Sequence, residues 1–215
     1  TLESTVACLA CDSTADACFD DALRTFAAIE PVSEVADDDV FLIMLTSGTT
    51  GRPKGCISTH KSYTYACLLS CIGMPINERS RELVVVPIYY NSGRSSLIAQ
   101  LFTGGTVFLR ERFDPRDVLE TIERERITCL ALAPTQCNEL LRFADLDRYD
   151  KSSLQMLRKA GLPFPLRTVE EVMQRITPNL YQGYGGTEFS AGAQLYPHEQ
   201  VTKLGAAGRA LPGVE

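Results

Sequence analysis

The stretch TSGTTGRPKG, residues 46–55, packs three glycines, four hydroxyls (Thr46, Ser47, Thr49 and Thr50) and two cations (Arg52 and Lys54) into ten positions. Glycines let backbone N–H groups turn toward an anion, hydroxyls add rotatable donors, and a lysine adds a point charge. Such a loop can hold a phosphate chain. A Walker loop, G-x-x-x-x-G-K-[ST] opening a helix, does the same with a helix dipole. The spacing of Gly48, Gly51 and Gly55 does not fit that pattern, and Pro53 precedes Lys54. CISTH (56–60) reads as a strand, so the loop is expected to join two adjacent antiparallel strands. A solvated hairpin turn also uses Gly, Ser and Thr, but needs neither so many hydroxyls nor two cations.

A second stretch, YGGTE at 184–188, comes at the end of an expected strand and ends in an acid. A carboxylate 4 Å from a phosphate charge is repelled by about 4 kcal/mol at an effective dielectric near 20. A divalent cation between them reverses the sign. If both stretches face one site, Glu188 is expected to ligate Mg²⁺, with phosphate oxygens and water completing the shell. Thr187 would then donate to a phosphate oxygen. Taken alone, Glu188 is an ordinary surface acid.

The elements that must position these residues alternate along the chain. FLIML (41–45) is a short apolar run of the kind that forms buried strands. Further strands are expected at 56–60, 82–90, 106–110, 127–133, 155–160 and 179–185. Helices are expected at 17–29, 61–73, 95–102 (closed by Gly104-Gly105), 113–126, 134–143 and 166–176. The helix over 113–126 has the best start: Asp114 as N-cap, Pro115 at the first helical position, Asp117 in the first turn and Phe113 before the cap to staple Val118. Strands alternating with helices predict an α/β fold, mixed β-sheets with flanking helices. Pro31 and the run Asp37-Asp38-Asp39 end the first unit, so residues 1–36 read as a connecting segment ahead of the phosphate loop.

The 215 residues carry a formal charge of −6 and are 45% hydrophobic. The acidic balance speaks against a nucleic-acid partner or an anionic membrane surface. No run approaches the length of a spanning helix. Among the eight cysteines, Cys8 and Cys11 are spaced C-x-x-C, but no second pair follows, and His60 and His198 have no ligand spacing to them. Cys67 and Cys71 sit i, i+4 as small hydrophobes. Free thiols in a reducing cytoplasm are the expectation.

TSGTTGRPKG and YGGTE together resemble the signatures of the adenylate-forming (AMP-binding) superfamily: acyl-CoA synthetases, peptide-synthetase adenylation domains and luciferases. The first matches the family's phosphate loop at all ten positions, and the second matches Y-G-x-T-E. Weaker likenesses fall in the same order: VPIYYNSG (86–93) to P-L-F-H-x-x-G, AGLPF (160–164) to G-G-A-P, and GRALPGVE (208–215) to the pattern that follows. The likeness covers nearly the whole chain from about residue 37.

The resemblance implies two half-reactions in one site. A carboxylate attacks the α-phosphate of Mg·ATP to give an acyl-adenylate and pyrophosphate. A thiol, usually that of coenzyme A, then displaces AMP. It implies that Thr46, Ser47, Gly48, Thr49, Thr50, Gly51 and Lys54 cradle the β- and γ-phosphates. Gly161, Leu162 and Pro163 would flank adenine with Gly183 and Tyr184. Thr187 and Glu188 would serve phosphate and metal, and the backbone of Gly185 and Gly186 would approach the acyl group. Lys54, Thr187 and Glu188 are the expected catalytic residues, and Tyr90 and Arg94 are expected beside a small carboxylic acid. Tyr90 stands where the family often has histidine. Ala160 and Leu162 replace the first glycine and the alanine of G-G-A-P. The family's downstream ribose-binding Asp and Arg, and its mobile C-terminal domain with a catalytic lysine, have no counterpart here. The chain is therefore expected to be a central fragment of the large domain, inactive alone. An amino-acid adenylation domain is the nearest rival, but 131–141 offers no acid before Glu139 to grip an amino group. A non-catalytic nucleotide-binding protein of the same fold is the other, and intact Lys54, Thr187 and Glu188 argue against it.

Overall fold

The computed structural model describes residues 24–25, 27–29, 34–46, 52–160 and 164–214. Residues Thr1–Ala36 form one compact unit and Asp37–Glu215 another. In the first, Arg24 and Thr25 are helical and 27–29 are not, so the helix expected at 17–29 does not reach Ile29; the rest of it lies outside the described residues.

The second unit opens with a two-stranded antiparallel ribbon, β1 (Val40–Thr46) and β2 (Lys54–Thr59). Thr46 pairs with Lys54, and the register shifts between Val40 and Leu42. The shift leaves Phe41 as an extra residue, and its ring packs 4.8 Å from Tyr63 and 5.1 Å from His60. Lys54 thus starts a strand rather than a helix, and the strands on either side of the glycine-rich stretch pair antiparallel, as its sequence predicts. Helix α1 (His60–Gly73) follows at once. Its start is a reciprocal cap: Ser62 N–H donates to Thr59 Oγ1 at 3.2 Å, and Thr59 N–H to Ser62 Oγ at 2.9 Å.

The remaining elements are β3 (Arg81–Val84), α2 (Asn91–Thr103), β4 (Thr106–Leu109), α3 (Pro115–Glu125), β5 (Cys129–Leu132), α4 (Pro134–Arg142), β6 (Met156–Ala160), α5 (Leu166–Arg175), β7 (Leu180–Tyr184), β8 (Ala193–Leu195) and β9 (Arg209–Ala210). Strands β3 to β9 form a seven-stranded sheet in the order β4-β3-β5-β6-β7-β8-β9. The first five positions run parallel, and β8 and β9 are antiparallel. Parallel neighbours need helical crossovers, which is why each of these strands trades places with a helix along the chain.

Two boundaries differ from the sequence reading. The strand expected over 82–90 leaves the sheet after Val84. Pro87 has no N–H to give to a central ladder, and its carbonyl instead accepts from Tyr90 N–H at 3.0 Å in a turn. Tyr90 becomes the N-cap of α2, which therefore starts at Asn91, four residues before the expected Ser95. The other difference is at the end, where no strand is expected after residue 185 and the short β8 and β9 form. Two- and three-residue strands carry no readable period. The α3 start matches: Asp117 N–H donates to Asp114 Oδ1 at 2.9 Å, and Gly104 closes α2 with φ 77°.

The core lies on one face of the sheet. Leu83, Leu130, Leu157 and Leu180 point there, together with Val118, Leu119 and Ile122 of α3, Leu140 of α4 and Val172 of α5. The opposite face carries only a small cluster of Cys129, Met156, Ile76 and Ala99.

Candidate functional site

The face with the small core opens into a cleft of about 1090 Å³, lined by residues from β1, α1, the 85–90 turn, α2, β6, β7 and the 185–191 loop. Thr46, Tyr90, Gly183, Tyr184, Gly185, Gly186 and Thr187 all line it. Residues about 140 positions apart in sequence thus line one cleft, Thr46 from the two-stranded ribbon and the others from β7 and the loop after it.

The 185–191 loop is shaped by its glycines. A Cβ on Gly185 would lie 1.8 Å from the Ser190 carbonyl oxygen, and one on Gly186 would meet the Phe189 ring at 2.7 Å. The chain can fold back over Ser190 only where side chains are missing. Tyr184 closes the end of β7, 6.0 Å from the Phe189 ring. Gly93 does the same at the other wall: a Cβ there would lie 2.4 Å from the Val86 carbonyl oxygen. Its absence lets α2 sit directly on the 85–90 turn, where the Tyr89 and Tyr90 rings pack 4.6 Å apart.

Thr46 is half-buried, and its Oγ1 donates to the Lys54 carbonyl at 3.4 Å. The Lys54 side chain itself is exposed at the start of β2. Ser47, Gly48, Thr49, Thr50 and Gly51, and likewise Gly161, Leu162 and Pro163, lie outside the described residues. Glu188 is exposed in the turn after Thr187, outside the cleft lining, with no hydrogen bond or ion pair to the described residues. Arg94 does not line the cleft either. Its guanidinium donates to Tyr63 Oη at 3.3 Å, to Asn91 Oδ1 at 3.0 Å and to Met44 Sδ, tying α2 to α1 and β1.

Among the described residues no three His, Cys, Asp or Glu side chains converge to hold a metal ion. A cation at this rim would take one protein carboxylate and draw its other ligands from phosphate and water. That donor set suits Mg²⁺, which keeps waters and shares substrate phosphates. The unpartnered Glu188 carboxylate fits this role.

Cys67 lines the cleft. Burial, and then neighbouring Cys71, push its thiol up from the usual range, so it is not primed as a nucleophile. Burial likewise pushes Cys129 up to about 11 and Cys137 up to about 12.

Sequence reasoning missed Arg158 and Ser95, which also line the cleft. The signal was present for Arg158: MLRKA places two cations inside an apolar strand, and the strand's period of two sends them to opposite faces. Lys159 is 1% exposed. It lies over the Phe164 ring at 4.8 Å and donates to Gln182 Oε1 at 3.0 Å, and burial lowers its pKa. Arg158 turns to the cleft.

A mostly parallel sheet with helices on both faces and a cleft on its α1–α2 side is an α/β architecture. The model of the AMP-binding enzyme family matches residues 2–215, and the chain belongs to that family. It is 37% identical to a 2-succinylbenzoate–CoA ligase of Bacillus licheniformis, over 86% of this chain and 39% of that protein. It is 34% identical to a feruloyl-CoA synthase of an Amycolatopsis species, over 83% of this chain and 36% of that one. The O-succinylbenzoate coenzyme A synthetase of Bacillus subtilis in complex with ATP and magnesium superposes with a TM-score of 0.80 at 32% identity, over 89% of this chain and 40% of that chain. The chain thus spans about two fifths of the length of these relatives. Among its described residues no helix is long and apolar enough to cross a membrane.

Proposed function

We propose that this chain forms the ATP- and acid-binding part of an AMP-forming acid–thiol ligase. The observation that carries the reading is the shared cleft, with Thr46 at the foot of the glycine-rich hairpin on one side and Gly183 to Thr187 on the other. The relatives named as CoA ligases support the class.

In this reading a carboxylate oxygen of the acid attacks the α-phosphorus of ATP, and the bond to the bridging oxygen breaks. Pyrophosphate leaves with that electron pair. A thiol, taken to be that of coenzyme A, then attacks the acyl carbon; AMP leaves, and the thiol proton goes to solvent. The hairpin residues Thr46 to Gly51 and Lys54 hold the β- and γ-phosphates, and Thr187 donates to a phosphate oxygen. Gly161 to Pro163, Gly183 and Tyr184 enclose the adenine. Gly185 and Gly186 leave room for the acyl group, beside Tyr90. Mg²⁺, when bound at Glu188, neutralises phosphate charge. The protein's work is orientation and charge neutralisation in a preorganised cleft. Free thiols at Cys56, Cys67, Cys71, Cys129 and Cys137 accord with a reducing, cytoplasmic setting.

Carboxylate-dependent exchange of labelled pyrophosphate into ATP by the full-length protein tests this reading, with a panel of alkyl and aryl acids. Exchange with at least one acid is expected; none with any acid would refute it. Residues 1–215 alone are expected to exchange at background.

A further inference from the structure

Among the described residues, the largest fully buried side chain is that of Lys159, 1% exposed on β6. No carboxylate of those residues pairs with it. Its ammonium donates to Gln182 Oε1 at 3.0 Å and lies 4.8 Å from the centre of the Phe164 ring. Phe164 is itself buried and packs into the main core. A buried charge held by one neutral acceptor and a ring is a costly arrangement. An apolar side chain of similar volume fills such a space more cheaply. A cation here therefore does something that a leucine or methionine would not.

Its place in the sheet points to what that is. Lys159 stands beside Leu132 on β5 and Gln182 on β7, one residue before β6 ends at Ala160. After Gln182, β7 runs on to Gly183 and Tyr184, which line the cleft. A lysine ammonium has donors only, so it fixes which way the Gln182 amide points. Oε1 faces the ammonium, and Nε2 is left to donate to the Ala206 carbonyl at 3.4 Å. Ala206 leads into β9, which pairs with β8 as β8 pairs with β7. One ammonium thus ties together the end of β6, the end of β7 and the segment before β9. Without it, nothing dictates which end of the amide faces Ala206.

We propose that Lys159 is a positioning residue: from the core face of the sheet it locks Gln182, and so holds Gly183 and Tyr184 in the geometry that a bound nucleotide requires. The nucleotide part rests on the reading above, in which those two residues flank adenine. Lys159 is not among the residues that line the cleft, so it acts through Gln182 rather than on the ligand.

The test pairs a readout without nucleotide with one that uses it, both on the full-length protein. Lys159→Met keeps the length of the side chain and removes the charge. In the free protein it should raise amide exchange in β7 and in 206–210 at least about 5-fold, with β5 unaffected and the melting temperature unchanged or higher. Calorimetry should show AMP bound about 10-fold more weakly, the scale of one hydrogen bond to a charged group. Gln182→Met should do the same from the other end of the link. The double variant should bind AMP no more weakly than either single variant, because both break the same link. Loss of the fold, or a lower melting temperature with faster exchange throughout the sheet, would mean a purely structural role and would overturn the proposal. Additive losses in the double variant would overturn it too. Local loosening in a protein that binds no AMP would uphold the lock and sink the nucleotide reading. AMP binding that Lys159→Met leaves intact would sink only the lock.

Discussion

The two faces of the seven-stranded sheet are built from the same strands and differ in almost every other respect. Toward α3, α4 and α5 the strands present Leu83, Leu130, Leu157 and Leu180, all at most 1% exposed. Toward α1 and α2 they present Glu82, Cys129, Ala131, Arg158 and Gly183. One face is large and aliphatic and excludes water. The other alternates small, polar and charged groups and leaves a cleft. The period of two along each strand lets one segment such as MLRKA serve both. Stability and chemistry can therefore be changed separately, one face at a time.

The largest effect should come from breaking the sealed face. Leu157→Ala removes a fully buried side chain and should cost about 2–5 kcal/mol, from lost transfer energy and the cavity left behind. Denaturant melts measure it. A loss under about 1 kcal/mol would mean that this face is not the core described here.

Backbone strain at the sheet's antiparallel end comes next. Gly208 has φ 105°, and a Cβ there would lie 2.2 Å from the Gln194 carbonyl oxygen. Gly208→Ala should destabilise by about 1–3 kcal/mol and separate β9 from β8. Amide exchange of Ala193 and Gln194 reports the separation; unchanged protection would contradict the pairing.

A smaller, pH-dependent effect comes from Glu199, buried beneath Lys203 and Arg209. Hydrogen bonds from Lys203 Nζ at 2.8 Å and Arg209 Nε at 2.7 Å hold its carboxyl at about 2. A carboxylate lowered in the folded state stabilises fully above its unfolded pKa, near 4.3. The contribution is lost as pH falls through the folded value. Stability should therefore fall between about pH 4.3 and pH 2, and Glu199→Gln should flatten that part of the profile. An unaltered acid slope in the variant would show that other carboxylates dominate.

The smallest effect sharpens the contrast from the open side. Ser95 lines the cleft and donates only to the Ser92 carbonyl, at 3.1 Å. Ser95→Ala should change stability by less than about 0.5 kcal/mol while shifting the KM for the acid in pyrophosphate exchange. A large stability loss with unchanged KM would reverse the roles assigned to the two faces.

Long patterns were legible from residue types. Asp114-Pro115 marks the start of α3, and the strands read at 41–45, 127–133 and 179–185 lie within two residues of β1, β5 and β7, although β1, read from its apolar run as buried, is largely exposed. The hairpin reading of TSGTTGRPKG follows from Pro53 and the lack of a helical pattern after Gly55. What was not legible depends on tertiary partners. Pro87 takes the end of an apolar run out of the sheet, and β8 and β9 form only because β7 offers an edge. Arg158 could be placed in a strand but not on a face, because the sheet order decides which side holds α2. Arg94 sits in sequence next to Gly93, yet Tyr63, Asn91 and Met44 draw it out of the cleft lining.

The central claim is that the rim between the hairpin and the 185–191 loop handles phosphate and metal. Lys54 and Glu188 are both exposed, so removing either side chain should leave the fold intact. Pyrophosphate exchange by the full-length protein carrying Lys54→Ala or Glu188→Ala is the direct measurement, with melting temperature recorded beside it. The account predicts at least about tenfold slower exchange in each variant, toward the 10²–10³ of one lost charge at a developing charge, at unchanged melting temperature. Exchange at the wild-type rate in Glu188→Ala would contradict the metal role, and in both variants it would contradict the site.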